Sequence, residues 1–182
     1  PITSKRISSI SMERIAVLRQ LMAHGHCAAS ISMVHNTQGD ISKLADTYFY
    51  FIKPCIQKDF PNLAFFREHI GKDGEKFGVY VDSKGEVAAS PKAAFLGSSN
   101  VSFTATHYNI HQCWCRHNSQ VAIVVIDNSH LHIDCFENAA VNVTIQSKRA
   151  KVFINQYGNS KVLVKGFAEQ AKITTYKCNT YK

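Results

Sequence analysis

The C-terminal half of this chain is written in a ten-residue period. From Asn118 it runs NSQVAIVVID, NSHLHIDCFE and NAAVNVTIQS. After one inserted residue it resumes at Arg149 as RAKVFINQYG, continues at Asn159 as NSKVLVKGFA and frays at Gln170 as QAKITTYK. A short fixed period means that one small unit is stacked on, or paired with, copies of itself. Within each unit apolar residues alternate, as in Val121, Ile123 and Val125, then Leu131, Ile133 and Cys135, then Val141, Val143 and Ile145. Alternation at period two makes a strand with one buried face. The Asn-Ser or Asn-Ala pair marks a corner, with Asn expected in the left-handed conformation that it accepts more readily than most residues.

Two folds satisfy this pattern. In a parallel β-solenoid two or three units make a coil and equivalent residues stack. In an antiparallel β-meander each corner is a hairpin turn. Tight hairpins favour Asn-Gly or Asp-Gly, and here Asn is followed by Ser or Ala. Stacked Asn side chains can also form amide ladders. The solenoid is therefore expected, with corners at Asn118, Asn128, Asn138 and Asn159. Val121, Ile123, Leu131, Ile133, Val141, Val143, Val152, Ile154, Val162 and Val164 should face inward, and Gln120, His130, Lys151 and Lys161 outward.

The N-terminal half reads as helical. Ser11 is placed to cap a helix with Ile15, Leu18 and Met22 along one face and Gly25 as its stop. A second helix should start after Asp40, with Pro54 kinking or ending it near Lys53. A third, PNLAFFREHI, carries Pro61 at its first position and is closed by Gly71. FGVYV and AAFLG read as short strands around a turn at 82–85. Composition shifts near Gly97 from helix formers to β-branched residues and Asn. The expected organisation is thus α+β: a helical region over 1–96 capping a β-repeat domain over 97–182.

From about Asp46 to Tyr181 the chain resembles a family of proteins carried by phages and prophages of gut bacteria. The phrases that carry the likeness are DFPNLAFFREHIGK at Asp59–Lys72, FGVYVD, RHNSQVAIVV and NQYGNSKVLV. The resemblance implies a mobile genetic element as context, and no activity comes with it.

Chemistry is sparse. His107, His111, Cys113, Cys115 and His117 share one parity, and thiolate with imidazole is the ligand set that zinc prefers. Yet alternate residues on a strand stand about 7 Å apart, and the period puts His111 and Cys113 at core positions. Core packing is the expected role for the cluster, as simple helix-end chemistry is for His24, His26 and Cys27. There is no phosphate loop, HExxH or EF-hand, and with 13 Asp+Glu there are few acid–base candidates. The expectation is a non-enzymatic module without a cofactor.

Charge offers more. The formal net charge is +8, and from Lys148 to Lys182 eight Lys/Arg stand against one Asp/Glu, a local +7. Lys151, Lys161 and Lys172 recur at equivalent outward positions and, with Lys165, would form a basic stripe if coils stack. Such an end either meets an anionic partner such as nucleic acid or keeps the stack from associating. No apolar run reaches the roughly 20 residues of a membrane-spanning helix, and the cysteines lack a pairing pattern. The expected setting is the host cytoplasm or the virion. The expected partners are further copies of the chain or another protein, with nucleic acid as the alternative.

Overall fold

The computed structural model describes residues 11–19, 22, 28–106 and 109–182. The chain divides into two compact units, Pro1–Phe77 and Gly78–Lys182.

In the first unit residues 11–19 are helical, and Ile15, Leu18 and Met22 are buried on one face, as the spacing predicts. Gly25 and the His24–His26–Cys27 group lie outside the described residues. A helix at Ala28–Asn36, with no strong sequence signal, follows. Asp40 caps the helix Ile41–Tyr50 by accepting the Lys43 N–H at 3.0 Å. The break expected near Lys53 falls at Phe51 instead, and a second helix runs Ile52–Gln57. Proline excludes a bond to the carbonyl four residues earlier, which here is that of Tyr50. Pro54 therefore sits comfortably in the first turn of the new helix. Pro61 likewise lies outside the helix it was expected to open. Asn62 is the cap, its side chain accepting from the Phe65 N–H, and Leu63–Phe65 passes into a wider turn at Phe66–Ile70 and a tighter one at Gly71–Phe77.

The second unit is a parallel β-solenoid of about five coils. Its strands are β1 (Val79–Val81), β2 (Lys84–Glu86), β3 (Lys92–Leu96), β4 (Asn100–Ala105), β5 (Ile110–Cys115), β6 (Gln120–Val125), β7 (His130–Cys135), β8 (Ala140–Ile145), β9 (Lys151–Tyr157), β10 (Lys161–Gly166) and β11 (Ala171–Tyr176). Odd-numbered strands form one sheet and even-numbered strands the other, every pairing parallel. One ten-residue unit is thus one strand and one corner, and two units make a coil. The solenoid begins about twenty residues ahead of the composition shift at Gly97, because β1 already pairs with β3. The first coil is off the period: Val79 pairs with Ala94, whereas Val121 pairs with Val141.

Inward side chains of both sheets form one core. Val121, Ile123, Leu131, Ile133, Val141, Val143, Val152 and Ile154 are fully enclosed, while Val162 and Val164 of the last coil face inward but are half-buried. Gln120, Lys151 and Lys161 are exposed and His130 partly so.

The corners explain the Asn-Ser/Ala signature and correct one expectation. The left-handed residue is the one before Asn: His117, Asp127 and Glu137 have φ of 60°, 55° and 58°, and Gly158 has 60°. Asn contributes a ladder instead, the Asn138 side-chain amide donating to Asn118 Oδ1 at 3.3 Å. The Ser or Ala that follows turns into the corner and is sealed there: Ser119, Ser129, Ala139 and Ala150 have no exposed surface. Among the described residues the hydroxyls of Ser119 and Ser129 have no hydrogen-bond partner. Since alanine fills the next corner of the same stack after Ser129, Ser129→Ala should leave the fold unchanged. It should stabilise the protein by about 1 kcal/mol by removing an unsatisfied buried hydroxyl. Chemical denaturation checks this, and a loss of stability would mean that the hydroxyl is satisfied in solution.

Candidate interaction surfaces

Among the described residues the members of the His/Cys run do not come together as a metal centre. His107 lies outside the described residues. His111, Cys113 and Cys115 turn inward from β5 and are buried, with His111 Nδ1 3.0 Å from the Ser90 carbonyl oxygen. His117 leaves this face altogether: it occupies a left-handed corner, where its Nδ1 accepts the Gly97 N–H at 3.1 Å. Among the described residues no three His, Cys, Asp or Glu side chains come together to hold a metal ion.

Cys115 and Cys135 stack in register on adjacent coils. Burial pushes the thiol of Cys113 up to about 12 and that of Cys135 to about 11, and it raises Cys115 as well, helped by the neighbouring Cys135. Near pH 8 these sulfurs are thiols, and the thiolate is the reactive form. The native protein should therefore leave Cys113, Cys115 and Cys135 unmodified by iodoacetamide for hours, while the half-buried Cys55 and Cys178 react. Peptide mapping after alkylation checks this. Rapid labelling of Cys113 would contradict the core assignment.

The basic residues do not form one stripe. Successive units alternate between sheets, so Lys151 and Lys172 stand on the outer face of the odd-strand sheet, and Lys161 and Lys165 on that of the even-strand sheet. On the odd-strand face, register lines up Lys92, Gln112, His132, Phe153 and Lys172, all exposed. The His132 and Phe153 rings stack in this file with centroids 4.9 Å apart.

A second aromatic file runs up one corner. Phe136 stacks on Tyr157 at 4.7 Å and Tyr157 on Tyr176 at 4.6 Å. The segment after β11 folds back across this file. The Tyr181 ring sets its edge against Phe136 and Tyr157, and its hydroxyl donates to Asp134 Oδ2 at 2.5 Å while accepting from Trp114 Nε1 at 3.0 Å. Asn155 donates to the other Asp134 oxygen at 2.7 Å. Burial and the Asp134 carboxylate raise the Tyr181 phenol well above its usual range, so it stays a donor. This clamp joins residues 47 apart in sequence, and no local pattern announces it.

Among the described residues no strand lies beyond β10 in one sheet or β11 in the other. Ile173 is about half exposed, at 46%, although Ile154, level with it on the coil before, is fully buried. The tail does not cover this end, because Tyr181 reaches back to Trp114 and Asp134 on earlier coils. Compared with known protein families, curated proteins and solved structures, the chain has no significant match. The described residues contain no helix long and apolar enough to cross a membrane.

Proposed function

We propose that this chain is a non-enzymatic binding module that docks a protein partner, another protein or a further copy of itself, at the open C-terminal end of a rigid β-solenoid. The observation that carries the reading is the pair of unpaired strand edges, β10 and β11, at one end with only partly buried core residues between them. An edge strand offers backbone donors and acceptors to an incoming strand, and natural proteins cover or guard such edges. The resemblance to phage and prophage proteins adds a mobile-element context, with the partner met in the host cytoplasm or in the virion.

The test uses an edge-blocked variant. Val164→Pro removes an N–H on the open side of β10, a position where an edge strand accepts proline. Wild-type protein should show self-association by light scattering, or retain a partner on an affinity column, and the variant should do neither. A strictly monomeric wild type whose retained proteins are unchanged by Val164→Pro overturns the reading.

Contact with nucleic acid is a second reading, favoured by the exposed His132–Phe153 stack lying next to Lys172 on the odd-strand face. Flat rings among lysines form a platform for single-stranded bases. It expects a gel shift that weakens steeply with salt and is lost in Phe153→Ala with Lys172→Glu. No shift for wild type at low salt removes it.

A further inference from the structure

We infer that the open end selects an acidic extended segment that adds in parallel to β10, with the pattern acidic–apolar–any–apolar–acidic. This rests on the open-end docking reading and names its partner. The backbone supplies half of the argument. The Lys161 N–H donates to the Ala139 carbonyl at 2.8 Å and the Phe167 N–H to that of Ile145 at 3.0 Å, so the odd residues of β10 turn their backbone groups to β8. In a strand these groups alternate in direction, so Val162 and Val164 present theirs to the open side. On β11 the Tyr176 carbonyl accepts the Gly158 N–H, which turns Lys172 and Thr174 to β9 and leaves Ile173 and Thr175 open, while the Ala171 N–H is bound to the Ala168 carbonyl. On both edges the free backbone groups thus belong to the residues whose side chains face the core.

Side chains supply the other half. Parallel register places each residue of an added strand level with its β10 counterpart, as Ala140, Val141, Asn142, Val143 and Thr144 lie level with Lys161 to Lys165. Val162 and Val164 are half-buried and packed on the core, so the residues level with them extend that core and must be apolar. Lys161 and Lys165 flank them, exposed on the outer face, and the neighbouring edge strand carries exposed Lys172. Glu169 is the lone acid between Lys148 and Lys182. A second copy meeting this end with its own would set lysine against lysine at the spacing of paired strands, about 5 Å, and like charges directly opposite are destabilising. The lysines that oppose self-pairing are the ones that attract acidic residues at the same two levels.

The test is fluorescence anisotropy with two labelled peptides that share the sequence pattern Glu-Val-Thr-Val-Glu within a polar ten-residue frame, one with both Glu replaced by Lys. Wild-type protein should bind the Glu peptide at least tenfold more tightly than the Lys peptide. Lys161→Glu with Lys165→Glu should invert that order, and Val164→Pro should abolish binding of the Glu peptide. Ile173→Pro, which removes an open-side N–H of β11, replaces Val164→Pro should that variant fail to show the wild-type circular dichroism. Equal binding of both peptides, still abolished by Val164→Pro, overturns the acidic preference while docking at the open end stands. Glu-peptide binding that survives Val164→Pro, or that a single-stranded oligonucleotide displaces equally well, reveals attraction to a charged surface and overturns the proposal. Binding of neither peptide overturns it too, leaving the edge lysines as a guard against association. A wild-type dimer lost in Val164→Pro and undisturbed by the Glu peptide overturns it in favour of a second copy.

Discussion

One alanine inserted between Ala122 and Ile123 should unfold the solenoid, whereas the same residue inserted between Asp127 and Asn128 should leave it folded. Inside β6 the insertion turns Ile123 and Val125 from the core to the outer face, since side chains alternate strictly. Both are fully buried. At about 1.5–3 kcal/mol for each reversed side chain, and with pairing to β4 and β8 put out of step, the cost is on the order of 5 kcal/mol. That approaches the whole stability of an ordinary domain. The corner is different, as the chain itself demonstrates. Val121 pairs with Val141, twenty residues on, but Leu131 pairs with Val152, twenty-one on. The extra residue sits in the corner between β8 and β9, and every inward position on either side keeps its orientation. Circular dichroism and thermal melting of the two insertions check this. A strand insertion melting with wild type would refute register as the determinant of the fold.

The repeat was legible because burial at period two is local information. Ten residues suffice to state which side chains face in, and the structure keeps each of them there. The position of the corner was equally plain, but its conformation was not. A period cannot tell which of two adjacent residues turns left-handed, and the burden falls on His117, Asp127 and Glu137 rather than on the recurring Asn. The first coil escaped because its pairings span other distances, as Val79 with Ala94 shows. The lysine stripe dissolved for a related reason. Ten-residue units can make coils of two or three, and with two per coil Lys161 and Lys165 stand on a different sheet from Lys151 and Lys172. The open end and the Tyr181 clamp depend on which strands are neighbours and on where the chain returns, so neither has a local signature.

Asp127→Gly and Glu137→Gly should change stability in opposite directions, although the two residues occupy equivalent corners with nearly the same φ. A left-handed conformation costs a side-chain-bearing residue about 1 kcal/mol that glycine does not incur. Gly97 and Gly158 fill this position in other coils. Asp127 is exposed, so Asp127→Gly should stabilise the protein by about 0.5–1 kcal/mol, part of the relief being offset by the freer unfolded chain. Glu137 has a task that glycine cannot perform. Its carboxylate accepts from Arg116 Nη2 at 2.7 Å and from the His117 N–H of the coil before, and Arg116 is buried at 3% exposure. Removing Glu137 takes a counter-charge from the buried Arg116, at about 3–5 kcal/mol for a fully enclosed pair. The Glu137 side chain is about a third exposed, so water recovers part of that loss. The relieved backbone recovers a little more, which leaves a net cost of about 2 kcal/mol. Glu137→Gln should fall between the two, because an amide oxygen still accepts from Arg116 without neutralising it. Denaturant titration of the three variants gives the order. Glu137→Gly as stable as wild type would show that the Arg116 guanidinium draws its stability from elsewhere and that the corner, like its glycine counterparts, is held by backbone geometry alone.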